Sequence, residues 1–255
     1  YARLGKRTAF IGYVGDDFSG QFICRELARD GINTQAVFID PAGTARSVNF
    51  MYPDGRRKNF YDGKSHMQLQ PDLRACQAVL ELASQQKPGL AHFNIPNWAR
   101  QLLPIARELG MVIACDLQDV VDPQDPYRQD FIHQADLLFF SAANYPDPTP
   151  LIGNFLRARS NLVIVCGMGA QGCALGTQHG IQFYPPVHLE SPVIDTNGTG
   201  DSLAVGFLTS YIMDGYSLAD SILRGQIAAR YTCSLKASSA NLIDREKLDH
   251  IFHQA

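Results

Sequence analysis

No apolar run in the 255 residues approaches the roughly 18–20 needed to span a bilayer. The longest apolar stretches, such as Ala135–Ala143 and Leu162–Cys166, are strand-sized. Excess charge of either sign is missing too. The 22 Lys and Arg against 25 Asp and Glu leave a net charge of −3, which gives no electrostatic reason to expect nucleic acid or an anionic membrane as partner. The six cysteines form no CxxC pair and the seven histidines show no HxxxH or HxH spacing, so no structural zinc site is expected. A chain with this much core does not depend on disulfides. Cys24, Cys76, Cys115, Cys166, Cys173 and Cys233 are therefore expected as reduced, mostly buried thiols of a cytoplasmic protein. Tyr1-Ala-Arg-Leu-Gly-Lys-Arg is not followed by the apolar stretch of a signal peptide. A GxxxxGK[ST] phosphate loop and a GxSxG nucleophile elbow are also lacking.

What is present is alternation. Strand-like and helix-like segments succeed one another from end to end, which predicts an α/β fold around a mainly parallel sheet. Thr8–Val14, Leu90–Asn94, Met111–Asp116, Asp136–Phe140 and Leu162–Cys166 read as strands. Ser19–Asp30, Leu73–Gln86, Trp98–Leu109, Leu151–Arg159, Asp201–Met213 and Leu218–Lys236 read as helices. Cys173–Gly176 and Ile181–Tyr184 flank a turn. Thr34–Phe60 differs: Ala36–Ile39 and Ala45–Tyr52 are separated by Pro41-Ala-Gly43 and followed by the turn Pro53-Asp-Gly55, which is hairpin chemistry. No linker divides the chain. A single domain over residues 1–255 is expected, with residues 34–62 as a small β lid standing off the main sheet.

The most informative stretch is Asp195-Thr-Asn-Gly-Thr-Gly-Asp201. A β segment from Val193 leads into a glycine-bearing loop that opens a helix with Leu203, Phe207, Leu208, Tyr211 and Ile212 on its apolar face. Gly198 and Gly200 let the backbone approach a ligand closely. The first N–H groups of the helix lack internal partners and lie at the positive end of its dipole, a cradle for phosphate. Asp201 lies at that same end, where the dipole favours the ionised form and fits it to accept a proton. Asp is also a common N-cap, and on the local pattern alone that bland role competes evenly with a functional one.

This loop resembles the signature of the ribokinase-like (PfkB) family of carbohydrate kinases, D-T-x-G-A-G-D, with only the Ala changed, to Thr199. Leu4-Gly-Lys-Arg-Thr-Ala-Phe-Ile-Gly-Tyr-Val-Gly-Asp-Asp-Phe-Ser-Gly20 is similar to the family's early glycine pattern. Asn144-Tyr-Pro-Asp147 stands where the family carries N-x-x-E, and Gly167-Met-Gly-Ala-Gln-Gly172 where it carries T-x-G-x-x-G. The resemblance spans essentially the whole chain. It implies a three-layer α/β/α fold and transfer of the γ-phosphoryl group of ATP to a hydroxyl of a sugar or sugar-like small molecule. By the same resemblance Asp201 is the general base, and the N–H groups of Gly198, Thr199 and Gly200 form an anion hole. Asn144, Gly167, Gly169, Gly172 and Gln226 are implied at the nucleotide, and Asn94 and Asp116, each at a strand end, at the acceptor. Asp195 and Asn197 are implied beside a monovalent cation such as K⁺, and Asp147 as an indirect contact to Mg²⁺. The resemblance is compatible with a homodimer.

Gly167 where Thr is usual, and Asp147 where Glu is usual, keep open a catalytically impaired, ligand-binding relative. A nucleoside or vitamin-alcohol kinase of the same fold is a further alternative. Gly167–Gly172 also spells GxGxxG, but a dinucleotide fingerprint needs a helix at the last glycine, and strand–turn–strand follows here. Trp98 is expected to pack, His92 to be half-buried rather than a base, and Asp16 and Asp17 to hold a turn. Tyr1–Gly5 matches the end of a family helix, so the chain is expected to lack the family's first βα unit.

Overall fold

The computed structural model describes residues 1–51, 57–120, 122–142, 145–236 and 241–254. Its strands are β1 (Ala9–Val14), β2 (Asn33–Ile39), β3 (Arg46–Met51), β4 (Arg57–Asp62), β5 (Leu90–Phe93), β6 (Val112–Asp119), β7 (Leu137–Ser141), β8 (Val163–Gly167), β9 (Cys173–Thr177) and β10 (Gly180–Tyr184). Its helices are α1 (Phe18–Arg29), α2 (Leu73–Ser84), α3 (Leu103–Glu108), α4 (Pro126–Gln134), α5 (Thr149–Ala158), α6 (Thr199–Leu208), α7 (Leu218–Thr232) and α8 (Arg245–Phe252). A 3₁₀ segment, Asn97–Leu102, leads into α3, and a π-helical turn, Thr209–Met213, ends α6.

Six strands form one sheet in the order β10-β9-β8-β7-β6-β5; β5 to β8 run parallel, β9 runs antiparallel to β8, and β10 turns back antiparallel to β9. Alternation along β7 sets the layers, because successive side chains point to opposite faces. Leu138 and Phe140 join the core beneath α2 to α5, with Ile113, Cys115, Ile164 and Phe131. Leu137 and Phe139 join the core beneath α6 and α7, with Val165, Leu203, Phe207 and Ile222. The arrangement is the expected three-layer α/β/α sandwich. All six cysteines are free thiols, and all but Cys24 are buried. No helix among the described residues is long and apolar enough to cross a membrane.

β1 and β2 pair in parallel as a separate two-stranded unit, and β3 and β4 form an antiparallel ribbon. The expected insertion over 34–62 therefore divides. Ala36–Ile39 belongs to β2 beside β1, with Ala36 fully buried in the main core, and only β3 and β4 stand off as a ribbon. The turn Pro53–Gly55 lies outside the described residues. Two helices escaped the sequence reading, α4 and α8. Asp125, read as part of a loop, caps α4 by accepting the Tyr127 N–H at 2.9 Å.

α6 and α7 are the most intimately packed helices. A methyl added at Gly206 would lie 2.9 Å from the Gly225 Cα, so both positions exclude a side chain and the helix axes close up. Arg224, fully buried on α7, donates to Ser210 Oγ at 2.8 Å and to Asp249 Oδ1 at 2.6 Å and stacks on Tyr216 and Phe252. That network fixes α8 and the π-helical turn to α7.

Candidate active site

The loop that enters α6 is irregular rather than the strand expected from Val193. The N–H groups of Ile194 and Asp195 donate to the Cys233 carbonyl at 2.7 and 3.1 Å, which anchors the loop to the end of α7. Asp195 Oδ1 accepts the Asn197 N–H at 2.9 Å, a local turn. Gly198 then takes φ 73°, ψ 3°, and serves as the N-cap of α6 with no side-chain cap bond. Only glycine adopts that left-handed backbone readily.

Asp201 is therefore not the cap. It is the third helical residue, and no side chain closes the helix mouth. Nothing lies within 4 Å of where a Gly200 side chain would start. Apart from the Thr199 N–H, which reaches the Thr196 carbonyl at 3.4 Å, the N–H groups of the first turn and this free space together suit a phosphoryl group. The Asp201 side chain is exposed at the mouth, yet the surrounding protein thins its hydration. Its carboxyl is raised by that desolvation, partly offset by its own N–H. Sequence reasoning expected the dipole to favour the charged form; desolvation outweighs it.

Asp116, at the end of β6, is buried and titrates near 6, raised first by desolvation and then by the charges of Asp201 and Asp119. Its Oδ1 accepts the Gln118 N–H at 2.8 Å. Gln118 has φ 59°, a left-handed turn costly for a residue that carries a Cβ, and its Nε2 approaches Asn94 Oδ1 at 3.4 Å. The structure thus links Asn94, Gln118, Asp116 and the charge of Asp201. Gln118 was missed because its sequence context gives no sign of positive φ.

Gly167 and Gly169 line an open hollow of about 550 Å³ with Ser141, Ala142, Tyr145 and Gln171. Gly169 has φ 57°, and the loop closes on itself through Met168 N–H to the Gly172 carbonyl at 2.9 Å. Two expected nucleotide contacts also serve the fold. A methyl at Gly172 would lie 2.1 Å from the Tyr184 carbonyl oxygen, so its missing side chain serves backbone packing. Gln226 is buried and donates to the carbonyls of Tyr184 and Pro185 at 3.4 and 3.0 Å, so its amide braces a loop. Asn144 lies outside the described residues.

Asp147 is exposed, and its carboxyl is held below the ordinary value by its hydrogen bonds with Thr149 at the start of α5. Among the described residues no three His, Cys, Asp or Glu side chains gather to hold a metal. Asp17, expected to hold a turn, caps α1 through Gly20 N–H and takes Thr44 N–H and Oγ1, which hold it down to about 2. Trp98 is buried against Tyr13, and the His92 imidazole is pushed down to about 4 by burial.

The model of the pfkB family carbohydrate kinases matches residues 1–245. The chain belongs to this family. It is an ATP-dependent phosphotransferase with an alcohol acceptor, as carbohydrate kinases of the family are, and such kinases work with a divalent cation. Acarbose 7(IV)-phosphotransferase of Actinoplanes sp. is 29% identical over 247 residues, 96% of this chain and 80% of that protein. Fructoselysine 6-kinase of Escherichia coli K12 is 26% identical, over 90% of this chain and 84% of that protein. Among solved structures, the microbiome-derived acarbose kinase Mak1 superposes with a TM-score of 0.85 at 27% identity, covering 98% of this chain and 83% of its own. Ribokinase of Arabidopsis thaliana complexed with ribose and ATP gives 0.80 at 18% identity, covering 98% and 83%, a likeness of fold.

Proposed function

We propose that this pfkB-family kinase transfers the γ-phosphoryl group of ATP to a hydroxyl of a sugar or sugar-like molecule at the mouth of α6. The observation that carries the reading is the placement of Asp201 in the first turn of α6, uncapped, beside the open N–H groups that follow Gly198. The nucleotide lies along the hollow at Gly167 and Gly169, and the acceptor lies on the side of Asn94 and Asp116. Asp201 takes the proton of the attacking hydroxyl as that oxygen forms its bond to Pγ and the bond from Pγ to the β-bridging oxygen breaks, releasing ADP. The N–H groups of Gly198, Thr199 and Gly200 meet the charge on the transferred group, and positioning with electrostatics supplies most of the rate. A raised carboxyl pKa makes Asp201 a better proton acceptor while it remains ionised.

When bound, Mg²⁺ would supply charge neutralisation at the phosphates, and Asp147, engaged with Thr149, is the residue that would hold it indirectly. Asp195 and Asn197 are the residues that would hold a monovalent cation such as K⁺, whose charge would steady the loop. The β3–β4 ribbon exposes Val48, Phe50 and Phe60, an apolar surface suited to a lid over the acceptor. Replacing Asp201 by Asn tests the assignment. The expected result is loss of turnover by about 10²–10⁴-fold with little change in ATP affinity; unimpaired ADP release in the presence of acceptor refutes it.

A further inference from the structure

β6 does not pair evenly with β7. Cys115 lies opposite Leu138 and Asp116 opposite Phe139, but pairing resumes only at Asp119 opposite Ser141. One extra residue on β6 is therefore left over, which is a β-bulge. Its flanks are pinned, because Leu117 and Val120 are fully buried in the core beneath α2 to α5. The excess falls on Gln118, which is exposed and takes φ 59°. Among the described residues Lys64 is the only other residue besides glycine in that left-handed region. A Cβ makes the region unfavourable, so the surroundings must hold Gln118 there.

The hold comes from α4. The Arg128 guanidinium donates through Nε to the Leu117 carbonyl at 3.3 Å and through Nη2 to the Asp119 carbonyl at 3.1 Å, bracketing Gln118 from both sides. Its Nη1 donates to Asp125, the residue that caps α4, so the fork is already aimed where it meets the strand. A bulge interrupts the ladder, and Arg128 gives the two carbonyls beside it a partner. Only a planar guanidinium spreads its donors in this way; a lysine is a point charge on a flexible stem.

The bulge acts on the opposite face of the sheet. Alternation along β6 puts Asp116 on the same side as Ala114, which packs beneath α6 and α7. The left-handed turn folds the Gln118 N–H back onto Asp116 Oδ1 at 2.8 Å and brings the Gln118 amide toward Asn94 Oδ1 at 3.4 Å. We propose that Arg128 is a positioning residue for the acceptor side: by holding Gln118 in this turn it fixes the direction of the Asp116 carboxylate and of the Gln118 and Asn94 amides. It acts through the backbone on either side of Gln118. The inference rests on the assignment of Asn94 and Asp116 to the acceptor made above.

Residue-resolved hydrogen exchange on the full chain tests the geometry with no acceptor present. In Arg128→Gln the Gln118 amide is expected to exchange about tenfold faster or more, while the Val112 amide stays within about twofold. Val112 starts the same strand and is held by the Gly89 carbonyl at 2.9 Å, so it reports that the sheet survives. An unchanged Gln118 amide overturns the proposal. Kinetics test the consequence through ADP release from ATP with D-fructose, D-ribose and D-glucose, analysed for the sugar that turns over fastest. Arg128→Gln is expected to lower kcat/KM for that sugar about tenfold with the ATP KM within about twofold. Arg128→Lys, which keeps the charge and loses the fork, is expected to do the same. Glycine takes the left-handed turn without the cost, so in a Gln118→Gly background the Arg128→Gln change is expected to cost no more than about twofold. An equal loss in both backgrounds, or a loss that falls on the ATP KM, overturns the proposal. Asp201→Asn in the same assay separates the two readings. If it stays active, the assignment of the base fails; if it is inactive while Arg128→Gln turns over normally, only the role of Arg128 fails.

Discussion

The hydroxyls of Ser202 and Thr232 lie 2.7 Å apart, which ties the residue beside Asp201 to the last turn of α7. Thr232 also donates to the Ala228 carbonyl at 3.0 Å. Its proton is spent there, so Ser202 is the donor between the two. One residue on, the Cys233 carbonyl holds the N–H groups of Ile194 and Asp195. The end of α7 is thus the common anchor for the loop and for the helix that carries the proposed base.

Replacing Thr232 by Val keeps the shape and removes the anchor. Ser202 is left without its acceptor, a loss of about 1–3 kcal/mol, or a melting temperature lower by roughly 2–12 °C at this chain length. Because the first turn of α6 loses its tether, kcat is expected to fall about tenfold while the acceptor KM changes little. The conservative Thr232→Ser variant should restore both. Steady-state kinetics with a thermal melt decide it, and wild-type kcat in the Val variant would sink the anchoring role.

Asp116 titrates near 6 in the folded protein against 3.8 as the ordinary value. The native state therefore binds this proton more tightly than the unfolded chain does, and the group's contribution to stability grows as pH falls from above 6 to below 4. At neutral pH its charge is a liability, which its proposed role at the acceptor side would explain. Asp116→Asn is expected to stabilise the protein by about 1–3 kcal/mol near pH 8 and to lose that advantage below about pH 4. Its kcat/KM should fall by about 10–100-fold. Denaturant unfolding at the two pH values, paired with kinetics, checks both. A variant less stable near pH 8 and equally active would contradict the account.

The resemblance to the family pattern puts a Thr at the Gly167 position, and the site has room for one. A Cβ there would lie 3.8 Å from Leu203 Cδ2 and 4.0 Å from the Phe140 carbonyl oxygen, ordinary contacts. Gly167→Thr is therefore expected to fold normally and to place a hydroxyl in the nucleotide hollow. One added hydrogen bond lowers the ATP KM by about 2–10-fold. An ATP KM that is unchanged in a normally melting variant would show that the nucleotide does not pass this residue.

Much of this architecture was legible in the residues. Leu137–Ser141 and Val163–Gly167 are short apolar runs between turn signals, and a buried parallel strand demands that composition. The glycines and helix start of the loop 195–201 made a phosphate cradle legible, while its reading as an active centre came from the resemblance to the family signature. What failed depended on partners far away in sequence. β2 looked like half of a hairpin because Pro41-Ala-Gly43 is turn chemistry, whereas its partner β1 lies before α1. α4 carries only Phe131 and Ile132 into the core, too thin a stripe to register as a helix. The raised carboxyl of Asp201 came from desolvation by packed neighbours, which no local pattern encodes.

Gln226 gives the sharpest separation between inheritance by resemblance and role by contact. Its Nε2 donates to the Tyr184 and Pro185 carbonyls and approaches Cys173 Sγ at 3.4 Å, all within the connection that follows β10. Gln226→Leu keeps the volume, so packing survives, but it strips two carbonyls of their donor in a buried setting. The expected result is a stability loss of about 1–3 kcal/mol with an ATP KM within about twofold of wild type. A nucleotide-binding glutamine would give the reverse, a weakened ATP KM in a protein that melts normally. Thermal unfolding and ATP titration of this one variant therefore distinguish the two roles.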